Sequence, residues 1–216
     1  MNIIDTSTIS KNSSSNNLIE NIPLFKIESI SYQITVDDFT DVIFQSPASV
    51  ENFKNFEICN KKNIYSMGRS TEKALLRKDI ISMIPKIPGS SGLKELIGEE
   101  IQKQKFLIIK GRGGLSDIED YINKNESYCE NIICYERKRF DSYDLIKNRF
   151  SAADAVIFTS VYGAKIFFEN LYEVNRKISF FCISQRIKKQ IDLMGYETKI
   201  INYFSDNLYL EIEKAI

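Results

Sequence analysis

Short apolar runs alternate with stretches of helical period along almost the whole chain. Val42-Ile43-Phe44, Leu107-Ile108-Ile109 and Val156-Ile157-Phe158 are apolar throughout, as strands covered on both faces are. The pattern predicts strands over 2–6, 22–30, 41–46, 63–67, 80–84, 105–110, 131–135, 155–159, 178–183 and 197–202. Between them it predicts helices over 47–56, 70–77, 93–104, 117–123, 141–150, 161–171, 185–194 and 206–215. That order reads βαβα, which implies an α/β fold with parallel sheets and helices on their faces. Several helix ends are marked. Ser46-Pro47 sets a capping hydroxyl before a proline at the first helical position. Ser116 and Glu119 have capping-box spacing, and Gly195 follows Met194 where a helix ends.

One constellation occurs twice. Val42-Ile43-Phe44-Gln45-Ser46 returns as Val156-Ile157-Phe158-Thr159-Ser160, 114 positions later, and each copy is preceded closely by an aspartate. A second strand and helix follow each copy, with polar turns Ser66–Thr71 and Cys182–Ile187. The repeat predicts two similar small α/β domains facing each other. Ligands of open α/β sheets bind beyond the carboxyl ends of the strands, where helix N-termini offer free N–H groups. Ser46, Thr71, Ser90, Ser91, Ser160 and Ser184 all fall at such turns. Any one of them can be a plain N-cap. Two copies of the arrangement predict a cleft lined by amides and hydroxyls, suited to a polyanion, with Ser46 and Ser160 across it.

Composition narrows the chemistry. The 216 residues fit one large domain or two small ones. Lys+Arg and Asp+Glu are both 29, which argues against bulk electrostatic binding of nucleic acid or an anionic membrane. No apolar stretch approaches a membrane span, and the Ser/Asn-rich segment 1–17 has no export signal, so a cytoplasmic protein is expected. There is no histidine, which removes Ser-His and Cys-His catalysis and histidine metal sites. The cysteines, Cys59, Cys129, Cys134 and Cys182, lack metal-site spacing and are read as buried thiols. Glu99-Glu100 is read as a solvent-facing pair on a helix.

Two features remain as candidate chemistry. Lys110-Gly111-Arg112-Gly113-Gly114 is either an anion-binding turn or a tight turn that needs glycine; it matches neither a dinucleotide fingerprint nor a P-loop. Tyr135 ends the apolar run Ile132–Tyr135 ahead of the charged Glu136-Arg137-Lys138-Arg139 and lies near the junction of the two halves. In a chain without histidine, a phenol can supply a proton.

The ordered set of motifs resembles uroporphyrinogen-III synthase. Asp41–Ser46, Gly68–Thr71, Pro88-Gly89-Ser90-Ser91, Leu107–Gly114, Ile132–Tyr135, Phe158-Thr159-Ser160 and Ile183-Ser184-Gln185-Arg186-Ile187 follow the family's order over roughly 22–200. The chain departs from the family at Asp5-Thr6-Ser7, where Thr-Arg is usual, at Gln45 for Thr and at Glu72 for Ala. The resemblance implies two α/β domains, 1–24 with 140–216 and 31–131, joined by connector strands 25–30 and 132–139, with the active site in the inter-domain cleft. It implies cyclisation of hydroxymethylbilane to uroporphyrinogen III, with loss of water and inversion of the terminal pyrrole ring, and with no cofactor or metal. Tyr135 is then the catalytic proton donor. Ser46, Pro47, Gly68, Thr71, Ser90, Ser91, Ser160, Ser184 and Gln185 are the substrate-binding set. The expected protein is a monomer that meets hydroxymethylbilane synthase transiently. The rival readings are a flavodoxin-like nucleotide- or anion-binding module and a non-catalytic paralogue of the synthase.

Overall fold

A computed structural model describes residues 1–8, 18–98, 101, 104–174 and 177–216. The chain forms two compact units, Met1–Lys26 with Lys138–Ile216, and Ile27–Arg137. It passes between them twice, once within strand β3 (Phe25–Ser29) and once within β7 (Tyr128–Arg139).

In the second unit the sheet runs β3-β7-β6-β4-β5, with β4 at Asp41–Phe44, β5 at Asn63–Ser66 and β6 at Lys105–Gly111. β4 pairs in parallel with β5 and β6, and β6 with β7. The apolar run of β4 serves two layers because successive side chains point to opposite faces. Val42 and Phe44 join Val50, Phe53, Leu75, Leu107, Ile109 and Cys134 on one face. Ile43 joins Leu93, Phe106, Ile108, Ile118 and Ile122 on the other. Helices α1 (Pro47–Asn52), α2 (Arg69–Leu76), α3 (Ser90–Ile97) and α4 (Asp117–Lys124) bring several of these partners.

The first unit repeats the plan. Its sheet runs β10-β9-β8-β1-β2, with β1 at Ile3–Asp5, β2 at Ile19–Asn21, β8 at Ala155–Phe158, β9 at Ser179–Cys182 and β10 at Lys199–Ile200. The strands pair in parallel. Helices α5 (Asp144–Ser151), α6 (Val161–Asn170), α7 (Gln185–Leu193) and α8 (Leu208–Ala215) complete it. One core layer gathers Ile3, Ile157, Phe181, Leu208 and Ile212. Phe158, Phe167 and Phe180 form a cluster of tilted and edge-to-face rings. Strand order shows the duplication: β8 lies between β9 and β1 as β4 lies between β5 and β6. Even the outer strand has a trace in both, since Met83 bridges Tyr65 beyond β5 where β10 flanks β9.

Several predicted boundaries are corrected. The run 22–30 is not one strand: β2 ends at Asn21, and β3 starts at Phe25, after Pro23 and Leu24. Segment 80–84 contributes the single bridging residue Met83. The helix over 93–104 begins earlier, at Ser90, and stops at Ile97, because Gly98 turns the backbone to φ +77°. Glu99 and Glu100 lie outside the described residues, as does the Ser/Asn-rich segment from residue 9 to residue 17. Ser116 makes no capping bond; its hydroxyl donates to Asp120 Oδ2 at 2.9 Å. Gly195, at φ +88°, follows α7 as its position predicts. Strand β7 does not end with the apolar run at Tyr135 but continues through the charged residues to Arg139, where the connector strand 132–139 also ends. The four cysteines are free thiols, and burial raises Cys134 to about 12 and Cys59 to about 11. Among the described residues no helix is long and apolar enough to cross a membrane.

Candidate active site

The polar ends of the strands are built by capping. Ser46, in extended conformation after β4, accepts from the Ser49 amide at 3.1 Å. Ser49 answers by accepting from the Ser46 amide at 3.2 Å. Pro47 opens α1, as its fixed φ allows. In the first unit Ser160 accepts from the Gly163 amide at 3.0 Å to cap α6, and Ser184 accepts from the Ile187 amide at 3.4 Å to cap α7. Gln185 is the exposed first residue of α7.

Tyr135 reaches the first of these corners. Its Oη lies 2.8 Å from Ser46 Oγ. The strand register explains the reach. β6 and β7 advance in step to Lys110↔Ile133 and then slip, so that Gly111 pairs with Tyr135. Cys134 is the extra residue of this bulge, and a bulge re-aims the side chains beside it. The consecutive residues Cys134 and Tyr135 consequently both reach the same core layer. Tyr135 is 7% exposed, so its ring is held by packing. Burial pushes its pKa above the ordinary phenol value, while the bond to Ser46 and the Arg137 charge pull it back. At neutral pH the group is therefore a protonated phenol. Ser46 Oγ already accepts from the Ser49 amide, so its own hydrogen can point at Tyr135 Oη. That leaves the phenol proton available to a ligand and provides a donor to the oxygen once the proton has gone.

The glycine turn stands behind this phenol. The Arg112 amide donates to the Tyr135 carbonyl at 2.8 Å, and Arg112 Nη1 meets Glu136 Oε2 at 2.8 Å. Of the two readings of Gly111–Gly114, the structure fits the tight turn: Gly113 lies at φ +65°, and the Gly114 amide donates to the Gly111 carbonyl at 3.0 Å.

The remaining candidates are spread along neighbouring corners. Gly68 precedes α2 in extended conformation, and its carbonyl accepts from the amides of Thr71 and Glu72, both at 3.0 Å. Thr71 is buried rather than presented at a turn surface. Gly68 abuts Pro88: a Cβ added to it would stand 3.3 Å from Pro88 Cβ. Ser90 is the first residue of α3, not its cap, and donates to Asp117 Oδ2 at 3.0 Å. Ser91 is the exposed second residue. The structure thus brings Ser46, Pro47 and Tyr135 to one point, and Gly68 to the loop that leads into Ser90.

Sequence reasoning missed two polar arrangements. Lys110, at the end of β6, is buried and pairs with Glu119 Oε2 at 3.3 Å. Asp5, also buried, accepts from Tyr203 Oη at 2.6 Å and from the Ser7 amide at 2.9 Å. Asn21 donates to the carbonyls of Asp5 and Ser7 at 3.0 and 2.9 Å. The signal for the second was Asp5-Thr6-Ser7 itself, the departure from Thr-Arg. An open cavity of about 680 Å³ lies at the opposite, amino-terminal ends of β1 and β2, lined by Asn2, Glu20, Arg149 and Asp154 among others. That is the wrong end of a parallel sheet for a ligand held by helix N-termini.

The fold is shared with solved structures of known enzymes. A uroporphyrinogen-III synthetase from Helicobacter pylori matches 99% of this chain and 98% of its own, at 17% identity and a TM-score of 0.71. A mutant uroporphyrinogen III synthase from Thermus thermophilus matches 99% of this chain and 98% of its own, at 9% identity and a TM-score of 0.64. Identities this low establish the fold. No curated protein sequence matches the chain. The sequence model of uroporphyrinogen-III synthase HemD matches residues 19–202, and the chain belongs to that family. The family is one of cyclising lyases in haem biosynthesis, with hydroxymethylbilane as substrate.

Proposed function

We propose that this chain closes hydroxymethylbilane to uroporphyrinogen III with Tyr135 as its proton donor. The observation that carries the role is the 2.8 Å contact between the Tyr135 phenol and Ser46, a residue whose oxygen is already fixed by a backbone amide. The pyrrole nitrogen pushes out the terminal hydroxyl as Tyr135 transfers its proton to it, and water leaves. Ser46 donates to the phenolate oxygen that remains. The methylene carbon so freed bonds to the substituted α-carbon of the terminal ring, giving a spirocyclic intermediate. The bond from that carbon to its original methylene then breaks, and the released methylene bonds to the ring's other α-carbon, which inverts the ring. The carbon that finally closes the macrocycle loses its proton, which restores the phenol. The net change is loss of one water. Positioning and charge stabilisation supply the rest of the rate.

Pro47, Gly68, Thr71, Ser90, Ser91, Ser160, Ser184 and Gln185, with Ser46, are the proposed substrate-binding set. Their support is position: each stands at or next to the N-terminal end of a helix, where backbone N–H groups suit the substrate's carboxylates. Thr71 is the weakest member, because it is buried. The domain assignment 1–24 with 140–216, and 31–131, with 25–30 and 132–139 as joining strands, draws support from β3 and β7, where the chain passes between the compact units. A monomer in the cytoplasm that meets hydroxymethylbilane synthase transiently completes the reading.

The test is a coupled assay in which hydroxymethylbilane is generated in place and the oxidised products are separated as isomers. Type III should dominate without added metal or nucleotide. Spontaneous closure gives type I, so a profile equal to the enzyme-free control rejects the reading and favours the non-catalytic paralogue.

A further inference from the structure

We infer that Gly111 is a positioning residue for Tyr135: the missing Cβ there, with the bulge at Cys134, lets the phenol lie against the turn with its hydroxyl on Ser46. This rests on the proton-donor reading of Tyr135. Three observations carry it. First, a Cβ on Gly111 would stand 2.4 Å from Tyr135 Cζ, 2.6 Å from Cε2 and 2.8 Å from Oη, distances at which something must move. The obstructed atoms belong to the hydroxyl end of the ring, so the atom displaced is the reacting one. Second, Gly111 is the residue at which the β6–β7 register slips, and it pairs there with Tyr135 itself. Third, the far side of the turn is bonded back to β7, which opposes its stepping aside. The Arg112 amide holds the Tyr135 carbonyl at 2.8 Å, Arg137 Nη2 donates to the Gly113 carbonyl at 3.4 Å, and Arg112 is paired with Glu136. The glycine is therefore needed for close approach of a side chain. No torsion requires it, since among the described glycines with positive φ the turn contributes Gly113, not Gly111.

A double-mutant cycle tests this in the full chain. Gly111→Ala should lower kcat by about 10-fold or more, toward the loss expected for removing a general acid, while KM changes little. In a Tyr135→Phe background the same alanine should lower kcat by less than about twofold, because no hydroxyl is left to misplace. The ultraviolet difference titration of wild type against Tyr135→Phe isolates one phenol, and Gly111→Ala should bring that ionisation down toward the ordinary value as the ring is pushed into water. A folded Gly111→Ala enzyme with undiminished kcat overturns the inference, as does an equal loss in both backgrounds. Full turnover by Tyr135→Phe instead overturns the proton-donor reading. If Gly111→Ala alone does not fold, Tyr135→Ala decides: shrinking the ring should restore cooperative melting to the double variant. Failure of the double variant to fold where Tyr135→Ala folds shows that the clash is with something other than Tyr135 and rejects the inference.

Discussion

The two strand–serine–helix corners differ in what faces the serine. In both, the serine after the central strand accepts from the amide three residues on, Ser49 at 3.1 Å and Gly163 at 3.0 Å. In both, the next sheet neighbours place an asparagine at matching register, Asp5↔Asn21 and Ile108↔Asn131. Four residues after each asparagine comes an aromatic ring, Phe25 in the first unit and Tyr135 in the second. Phe25 stands against the α6 corner, 3.7 Å from where a Gly163 Cβ would be, and packs edge-on to Tyr162. Tyr135 stands against the α1 corner with its oxygen on Ser46. The same scaffold thus gives one corner that can hold a ligand by its capping geometry and one that can also give up a proton. Duplication supplies the frame, and one oxygen atom at the ring's end separates their chemistry.

The sharpest way to break that comparison is Tyr135→Phe, which gives the second corner the ring of the first. Folding should survive, since the ring and its packing remain. Turnover to the type III isomer should fall about 10²-fold, roughly 2.7 kcal/mol on the barrier, at the low end for general acid catalysis because the pyrrole nitrogen already activates the leaving hydroxyl. Single-turnover product analysis checks it, and undiminished turnover would mean that the two corners are chemically equivalent.

The first unit has a buried tyrosine oxygen of its own, put to a different use. Tyr203 donates to the Asp5 carboxylate at 2.6 Å, and burial, followed by the Asp5 charge, raises its pKa far above the ordinary phenol range. A phenol held to a carboxylate this way is a structural clasp. Tyr203→Phe should cost about 1.5–3 kcal/mol, the range for a hydrogen bond to a charged group, and leave kcat near the wild-type value. The pH signature follows from the direction of the shift. The folded state keeps the Tyr203 proton above pH 10, where the unfolded chain releases it. This contribution is therefore fully present below about pH 10 and is lost as pH rises further. Tyr65, raised to about 12 by burial and then by Asp41, acts in the same sense. Denaturant melts across the alkaline range should show wild-type stability falling above pH 10 and a flatter profile for Tyr203→Phe. A variant as stable as wild type at neutral pH would remove the clasp from the account.

What was legible in the sequence follows the same division. The all-apolar runs of β4 and β8 announced parallel strands covered on both faces, and Ser46, Ser160 and Ser184 all cap helices as their spacing indicated. Tyr135 stands out by its place in the chain, but its contact with Ser46 does not, because that contact depends on a one-residue slip of register that no periodicity encodes. The apolar run ends at Tyr135, so periodicity alone does not carry the strand through the four charged residues; the connector strand 132–139 that the resemblance implies does. Gly111 looked like half of a phosphate turn; only the ring packed against it shows why a side chain is excluded. The Asp5–Tyr203 pair joins residues 198 apart, so the departure at Asp5-Thr6-Ser7 marks one partner and gives no hint of the other.

The smallest effects discriminate most finely between the corners. Ser46→Ala and Ser160→Ala each remove an N-cap, and each should cost about 1 kcal/mol of stability. Their kinetic effects should part. Ser46 also meets Tyr135, and its bond lowers a pKa that burial has raised. Without it the phenol becomes a weaker acid and its phenolate loses a donor. Ser46→Ala should therefore shift the Tyr135 ionisation upward and reduce kcat by up to about 10-fold, the equivalent of a lost hydrogen bond of about 1.4 kcal/mol. The ring at the Ser160 corner is Phe25, which has no proton to lose. Ser160→Ala should act on KM through the proposed substrate contact and leave kcat and the Tyr135 titration as they are. Matched melts should show cap losses of similar order in the two variants. With that established, equal losses of kcat in both variants would show that the serines serve alike as anchors, and that the Ser46–Tyr135 contact adds nothing to proton transfer.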